Sequence, residues 1–529
     1  MKRKELIAVV ILFAAALIFY LHYLTVSGLW YDEAVEYYNS TVLKGPLPYG
    51  NFEGNSMYDR ICDTFQPPLY NVLMFFWLKI RDTEAWFRMF GVVMNLLGAL
   101  AIYLTGRKLT DYRLALLGAM AYLFTDNIIY YGLECAEYNL MLCCICWMIY
   151  FFMQCMTECR RPYLVGFFIT ACLAVYSQYG AALLVVAMWL CMFSHCLATY
   201  KKQGSYIMVD FLIATAAVVM FAAAPMVIFF MWPQMQGQGT TDVSHAPYFA
   251  TGNVFTDFFV SIYDVVKDES AFIMEGAYKW ITIGIVFASM ALIVAALIVK
   301  RDKMLQILAS ILAICWCIYY ALVACSLYGY NDWSGVLGTE NIGGRYALFF
   351  IPLWVVLVLY AANVIMEWHR ERFGDLIWKV TGSTMLVTLG VFVVLGATSP
   401  AVDYIKDDVR GLVPVWYELN DSGQVLTVVH DWDAANFTYY MTRDEHYDPE
   451  CDYNIWETGD WDRATDYDTL YTTLMRNPLF MEDEFYYICP YYDESFKQSC
   501  QIIGRIFQEE GYQVLYLYEG KSELMYFYR

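Results

Sequence analysis

The chain has 529 residues, of which 60% are apolar and only 16% charged. Soluble domains run at about 45–50% apolar and about 25% charged, so this composition excludes an ordinary soluble enzyme and a disordered chain. The net charge of −20, from 33 basic and 53 acidic residues, excludes a nucleic-acid binder, which needs a basic footprint.

A bilayer core about 30 Å thick requires about 20 apolar residues in a helix. In chain order, apolar runs of that kind fall at 6–26, 84–105, 114–132, 138–156, 163–177, 179–199, 206–231, 277–299, 304–328, 346–366 and 377–397. They predict a mainly α, polytopic membrane helix bundle of about eleven spans over residues 1–399. Residues 163–199 divide only at Tyr176-Ser177-Gln178-Tyr179. A shorter run, 69–80, follows Pro67-Pro68 and reads as a helix lying at the membrane interface. Basic residues favour the cytoplasmic side. Lys2-Arg3-Lys4, Arg107-Lys108 with Arg113, Arg160-Arg161, Lys201-Lys202, Lys300-Arg301 with Lys303, and Arg370, Arg372 and Lys379 fall on alternate sides of the runs. The expected protein is a multi-pass cell-membrane protein with its N-terminus cytoplasmic and its C-terminal domain extracytoplasmic. No small-residue cleavage site follows the first run, which therefore reads as a span rather than a removed signal.

Residues 400–529 have a different character. They carry 26 acidic and 9 basic residues, a net of −17, which leaves the preceding 399 residues at −3. Alternation at 424–429 and 485–488 predicts strands. Ile502, Ile503, Ile506 and Phe507 have helical spacing within 497–510, and Gly511 is placed to stop that helix. Two further strands are expected at 513–518 and 524–528, giving a small acidic α/β domain without a nucleotide-binding glycine fingerprint. Most of the 16 cysteines fall inside spans as small apolar fillers. They lack the paired arms of a metal site. A Cys489–Cys500 disulfide is compatible with an oxidising exterior.

Two long loops, 27–83 and 232–276, fall on the external side, where long loops are usually functional. The first opens with Trp30-Tyr31-Asp32-Glu33, two adjacent carboxylates beside two aromatics. Their plain reading is the first turn of a helix, where acidic residues suit the dipole. The same side receives Gln66-Pro67-Pro68-Leu69, Glu84 with Arg88, Glu134-Cys135-Ala136-Glu137-Tyr138, and Gly343-Gly344-Arg345-Tyr346. Arg345 is either a boundary residue that snorkels or an anchor for a phosphate at headgroup depth. His245 lies in the second loop, as a plain loop histidine or a substrate contact.

This order of motifs resembles the GT-C membrane glycosyltransferases, and within them the family 39-like group of protein O-mannosyltransferases and lipid A aminoarabinose transferases. The resemblance rests on Asp32-Glu33 after the first span, Pro67-Pro68-Leu69 in the same loop, and Arg345-Tyr346 at the start of a late span. It covers roughly residues 1–400. The pattern departs at Gln66, where some relatives carry a basic residue, at Ala136, where many carry arginine, and at Gln178, where many carry histidine.

The resemblance implies transfer of a sugar from a polyprenyl-phosphate donor to a protein, lipid or glycan acceptor, without a metal or other cofactor. Asp32 is then the general base, with Glu33 orienting it. Arg345, Tyr346, Arg88 and Gln66 are the donor-phosphate candidates. Glu134, Tyr138 and His245 are weaker substrate-binding candidates. A sugar phosphate already carries a good leaving group, so one activated acceptor hydroxyl suffices and an inverting single displacement is expected. Two other readings compete. A transporter or flippase places ionisable groups at span centres and often repeats its halves. A non-catalytic anchor for an external sensing domain has no need of the Asp32-Glu33 pair.

Overall fold

The computed structural model describes residues 3–41, 56–64, 66–158, 160–203, 206–237, 279–324, 347–398, 407–420, 423–458, 466–476, 478–490 and 494–529. In chain order the helices are α1 (Arg3–Tyr23), α2 (Tyr31–Ser40), α3 (Met57–Asp63), α4 (Leu69–Leu78), α5 (Glu84–Leu109), α6 (Tyr112–Leu123), α7 (Asp126–Gly132) and α8 (Tyr138–Glu158). They continue as α9 (Arg161–Ser177), α10 (Ala181–Gln203), α11 (Ile207–Gln236), α12 (Lys279–Val299), α13 (Lys303–Ala324), α14 (Phe350–Phe373) and α15 (Asp375–Ala397). The last four are α16 (Val409–Leu419), α17 (Asp431–Met441), α18 (Tyr467–Leu474) and α19 (Glu494–Glu509). The chain forms two compact units. One gathers the described residues of Met1–Leu24, Ile61–Trp333 and Ile342–Val402, the other those of Thr25–Arg60 and Asp403–Arg529.

The first unit is a bundle of apolar helices. Among the described residues, seven are long and apolar enough to cross a bilayer singly: α1, α5, α8, α10, α11, α13 and α14. The expected count of about eleven is therefore not reproduced as eleven straight helices. The 114–132 run breaks after Leu123 into α6 and α7, bent by 59°, and adds an eighth span if the pair is taken as one. The 17 residues of α9 reach only about 26 Å at 1.5 Å per residue, short of the core thickness. The division of 163–199 falls where the sequence placed it, between Ser177 and Ala181. The interfacial candidate 69–80 is the separate ten-residue helix α4.

Side chains explain the bend. Tyr20 donates to the Leu123 carbonyl at 2.8 Å, satisfying an acceptor that the end of α6 leaves open. Asn95 of α5 donates to the Ile128 carbonyl at 2.9 Å and so holds α7. A Cβ at Gly132 would collide with Asn95 and Tyr20, so only glycine lets α7 come this close. In α11, Pro225 removes a donor from the helical ladder, and π-helical turns at Val219–Ala223 and Val227–Met231 flank it.

Ion pairs gather the basic clusters at one end of the bundle. Arg107 meets Glu5 at 2.6 Å, Lys108 meets Glu158 at 2.8 Å, and Arg161 meets Asp210 at 2.6 Å. These contacts join the start of α1, the ends of α5 and α8, and the starts of α9 and α11. Lys300 and Glu367 tie α12 to α14 in the same manner, at 2.9 Å.

The second unit is built on a five-stranded sheet of β1 (Thr427–Val429), β2 (Ile455–Glu457), β3 (Glu484–Pro490), β4 (Gln513–Glu519) and β5 (Ser522–Tyr528), in the order β2-β1-β3-β5-β4. β1 runs parallel to β2 and β3, whereas β3, β5 and β4 are antiparallel. All four strands expected from the sequence are present. So is the helix before Gly511, whose φ of 95° is the left-handed stop that glycine accepts. α19 buries Ile503, Ile506 and Phe507 against Phe485 and Phe527, each such side chain contributing about 1.5–3 kcal/mol. Phe485 and Phe527 stack at 4.7 Å on adjacent strands. Cys489 and Cys500 share this core as free thiols, so the disulfide considered from the sequence is not formed. Burial, and then the neighbouring Cys500, push the Cys489 thiol far above its ordinary value.

Candidate active site

In the second unit, α2 carries Asp32 and Glu33 in its first turn. The Glu33 carboxylate is buried and accepts the Trp30 backbone N–H at 3.3 Å, so it holds the helix start in place. Asp32 is the more exposed of the two. This geometry gives the plain helix-start reading to Glu33 and leaves Asp32 as the carboxylate nearer solvent.

Ten residues do not make a stable helix in isolation. α2 is held by α17, with Ala34 and Ala435 fully buried at the contact and Tyr38 packed beside them. Leu29 donates its backbone N–H to Tyr440 Oη at 2.5 Å. Arg443 stands 3.9 Å over the Tyr439 ring and donates to Tyr37 Oη at 2.6 Å. Trp432 stacks on Tyr31 at 5.6 Å, directly beside Asp32. The carboxylate-bearing helix is thus built into the α/β unit, a placement that no local pattern announces. The same unit holds Arg60 of α3, which is buried, and desolvation lowers its guanidinium below the ordinary value. The sequence reading had not singled out Arg60.

The first unit places Gln66, Arg88, Glu134 and Tyr138 at the end of the bundle opposite the ion-paired basic clusters. Gln66 precedes α4, Arg88 lies in the first turns of α5, and Glu134 and Tyr138 flank the start of α8. Arg88 is buried in an ion pair with Glu84 at 2.9 Å and also donates to the Leu24 carbonyl. Glu134 is buried, and Tyr138 packs against Tyr131 at 4.7 Å. Arg345, Tyr346 and His245 lie outside the described residues.

Gln234, near the end of α11, organises the Pro67-Pro68 segment. Its amide nitrogen donates to the Ile61 carbonyl at 3.0 Å and the Gln66 carbonyl at 2.6 Å, and its amide oxygen accepts from Tyr179 at 2.8 Å. Tyr179 belongs to the α9–α10 turn that carries Gln178. At the other end of α4, Trp77 and Trp86 stack at 4.4 Å and each donates its indole N–H to the other's carbonyl. α4 is therefore fixed at both ends, by an amide clamp and an aromatic one. The available signal for Gln234 was a single amide after Trp232-Pro233, at the end of a long apolar run.

Residues 65–230 match the family described as dolichyl-phosphate-mannose-protein mannosyltransferase. The match starts beside Gln66 and runs into α11; Asp32, Glu33 and Arg345 fall outside it. The structure is similar to ArnT from Cupriavidus metallidurans bound to undecaprenyl phosphate, with a TM-score of 0.50 and 11% identity over 98% of this chain and 97% of that one. The chain has the GT-C fold. ArnT in the apo state aligns with the same TM-score of 0.50 at 12% identity, over 98% and 97% of the two chains. The oligosaccharyltransferase AglB from Archaeoglobus fulgidus, in complex with an inhibitory peptide and a dolichol-phosphate, aligns at 0.48 and 11% identity, over 92% of this chain and 69% of that one. No curated protein matches the sequence. Within this GT-C fold the apolar helices make the chain an integral membrane protein.

Proposed function

We propose that the chain is a glycosyltransferase that moves a sugar from a polyprenyl-phosphate carrier to an acceptor hydroxyl at the outer face of the membrane. The observation that carries this reading is the end-to-end likeness to a protein solved with undecaprenyl phosphate, joined to the mannosyltransferase family match over 65–230. A membrane-embedded donor suits a bundle of apolar helices, whose surfaces take a polyprenyl chain.

In the proposed reaction Asp32 accepts the acceptor hydroxyl proton as the oxygen attacks the anomeric carbon. The new carbon–oxygen bond forms as the bond to phosphate breaks, and polyprenyl phosphate leaves with the electron pair. Attack opposite the leaving group inverts the anomeric configuration. Glu33 holds Asp32 through the helix start it stabilises. Arg345 is the proposed phosphate anchor, assisted by Tyr346 and the Gln66 segment. The ion pair with Glu84 makes Arg88 a supporting cation rather than the main contact. Glu134, Tyr138 and His245 are assigned to substrate contact. The proposed chemistry uses no metal.

The experiment is mass spectrometry of surface glycans and glycolipids from cells lacking the gene, complemented with the wild-type chain or with Asp32→Asn. One saccharide disappears in the deletion and returns only with the wild-type chain. An unchanged glycan profile in the deletion would refute the reading.

A further inference from the structure

At the basic end of the bundle, a shallow hollow opens between α8, α9, α10 and α11. Its rim carries Arg160, Arg161, His195 and Asp210, and its floor is apolar, with Leu164, Met192 and Ile207. The two rim arginines and the adjoining Lys108 all meet carboxylates. Lys108 and Arg160 both meet Glu158, at 2.8 and 3.4 Å, and Arg161 meets Asp210 at 2.6 Å.

Beside the hollow, α9 exposes Val165 and Ile169, and α11 exposes Val209, Leu212 and Ile213. A charged rim above an apolar floor, opening beside aliphatic helix surfaces, matches one kind of ligand in both parts. A soluble anion would use only the rim. We infer that this hollow binds the phosphate headgroup of an anionic glycerophospholipid, with Arg160 and Arg161 on the phosphate and the acyl chains along α9 and α11. Guanidinium groups suit phosphate oxygens, and basic pockets between membrane helices commonly take such headgroups. This inference stands apart from the proposed glycosyl transfer, since the hollow lies at the opposite end of the bundle from Gln66 and Tyr138.

The test is native mass spectrometry of the full-length protein in detergent micelles, titrated with dioleoylphosphatidylglycerol and, as the neutral control, dioleoylphosphatidylcholine. The wild-type chain retains the anionic lipid preferentially. Arg160→Gln with Arg161→Gln weakens that binding at least tenfold, given about fivefold per arginine near a lipid surface. Asp210→Asn keeps both arginines and releases Arg161, so it strengthens binding by a few fold. A merely structural role for the Arg161–Asp210 pair would weaken binding in both variants, and that result would overturn the inference. Equal retention of the two lipids would also overturn it. Displacement of phosphatidylglycerol by millimolar inorganic phosphate would reassign the hollow to a soluble phosphate and refute the lipid assignment.

Discussion

Gln234→Leu tests whether the Pro67-Pro68 segment is held by the amide clamp. The side chain is fully buried and makes three hydrogen bonds, to the Ile61 carbonyl, the Gln66 carbonyl and Tyr179 Oη. Leucine has a similar volume and keeps the packing, so the change isolates the polar contacts. The Ile61 carbonyl keeps Thr64 as a donor at 3.1 Å, and the loss therefore falls mainly on Gln66 and Tyr179. Each neutral bond contributes about 1 kcal/mol net, and a buried partner left unpaired costs about 1–3 kcal/mol. The segment should lose about 3 kcal/mol of local stability, roughly a hundredfold rise in its open population. Hydrogen exchange read by mass spectrometry reports this directly, as faster exchange over 61–68. The start of α5, held by the Trp77–Trp86 pair, serves as the internal control and stays unchanged. Exchange at 61–68 within twofold of wild type would refute the clamp.

Arg443→Ala removes a cation stacked on Tyr439 and a charged hydrogen bond to Tyr37, weakening the hold of α17 on α2 by about 2 kcal/mol. Protease cleavage within residues 31–40 should accelerate, and an unchanged cleavage pattern counts against the packing argument. Glu523→Gln concerns β5, where burial first, and then Glu519 directly opposite on β4, raise the Glu523 carboxyl above its ordinary value. A raised folded-state pKa means that stability is fully present below the unfolded value and falls as pH rises through the folded one. The glutamine variant should therefore unfold at higher temperature near neutral pH and show a flatter pH profile, measured by thermal melts of the full chain. Arg345→Ala, on the proposed phosphate role, should raise the donor KM about tenfold or more with a smaller effect on kcat, in assays with varied polyprenyl-phosphate sugar.

Hydropathy made the bundle legible because each apolar run had to become a helix in lipid, where every backbone group needs an internal partner. It did not reveal the break between α6 and α7, because that bend comes from Tyr20, Asn95 and Gly132, residues far apart in sequence. The strands around Phe485 and Phe527 were readable from alternation, whereas β2 has only three residues and carries too little pattern. α16 and α17 were missed for another reason. Pro414 sits inside α16 and argues against a helix there, whereas α17 is buried on most sides and shows no clear polar face. Among the candidate residues, Asp32-Glu33 and Pro67-Pro68 stand out as local motifs. Gln234 and Arg443 do not, because their importance lies in partners 168 and 406 residues away.

The central claim is that Asp32 drives sugar transfer from a polyprenyl-phosphate donor. The most direct measurement is release of polyprenyl phosphate from a labelled donor by the purified full-length chain and its Asp32→Asn variant, in matched lipid nanodiscs. The account predicts turnover by the wild-type chain and at least a hundredfold loss in the variant, with folding and donor binding retained. Equal turnover by the two proteins would contradict it.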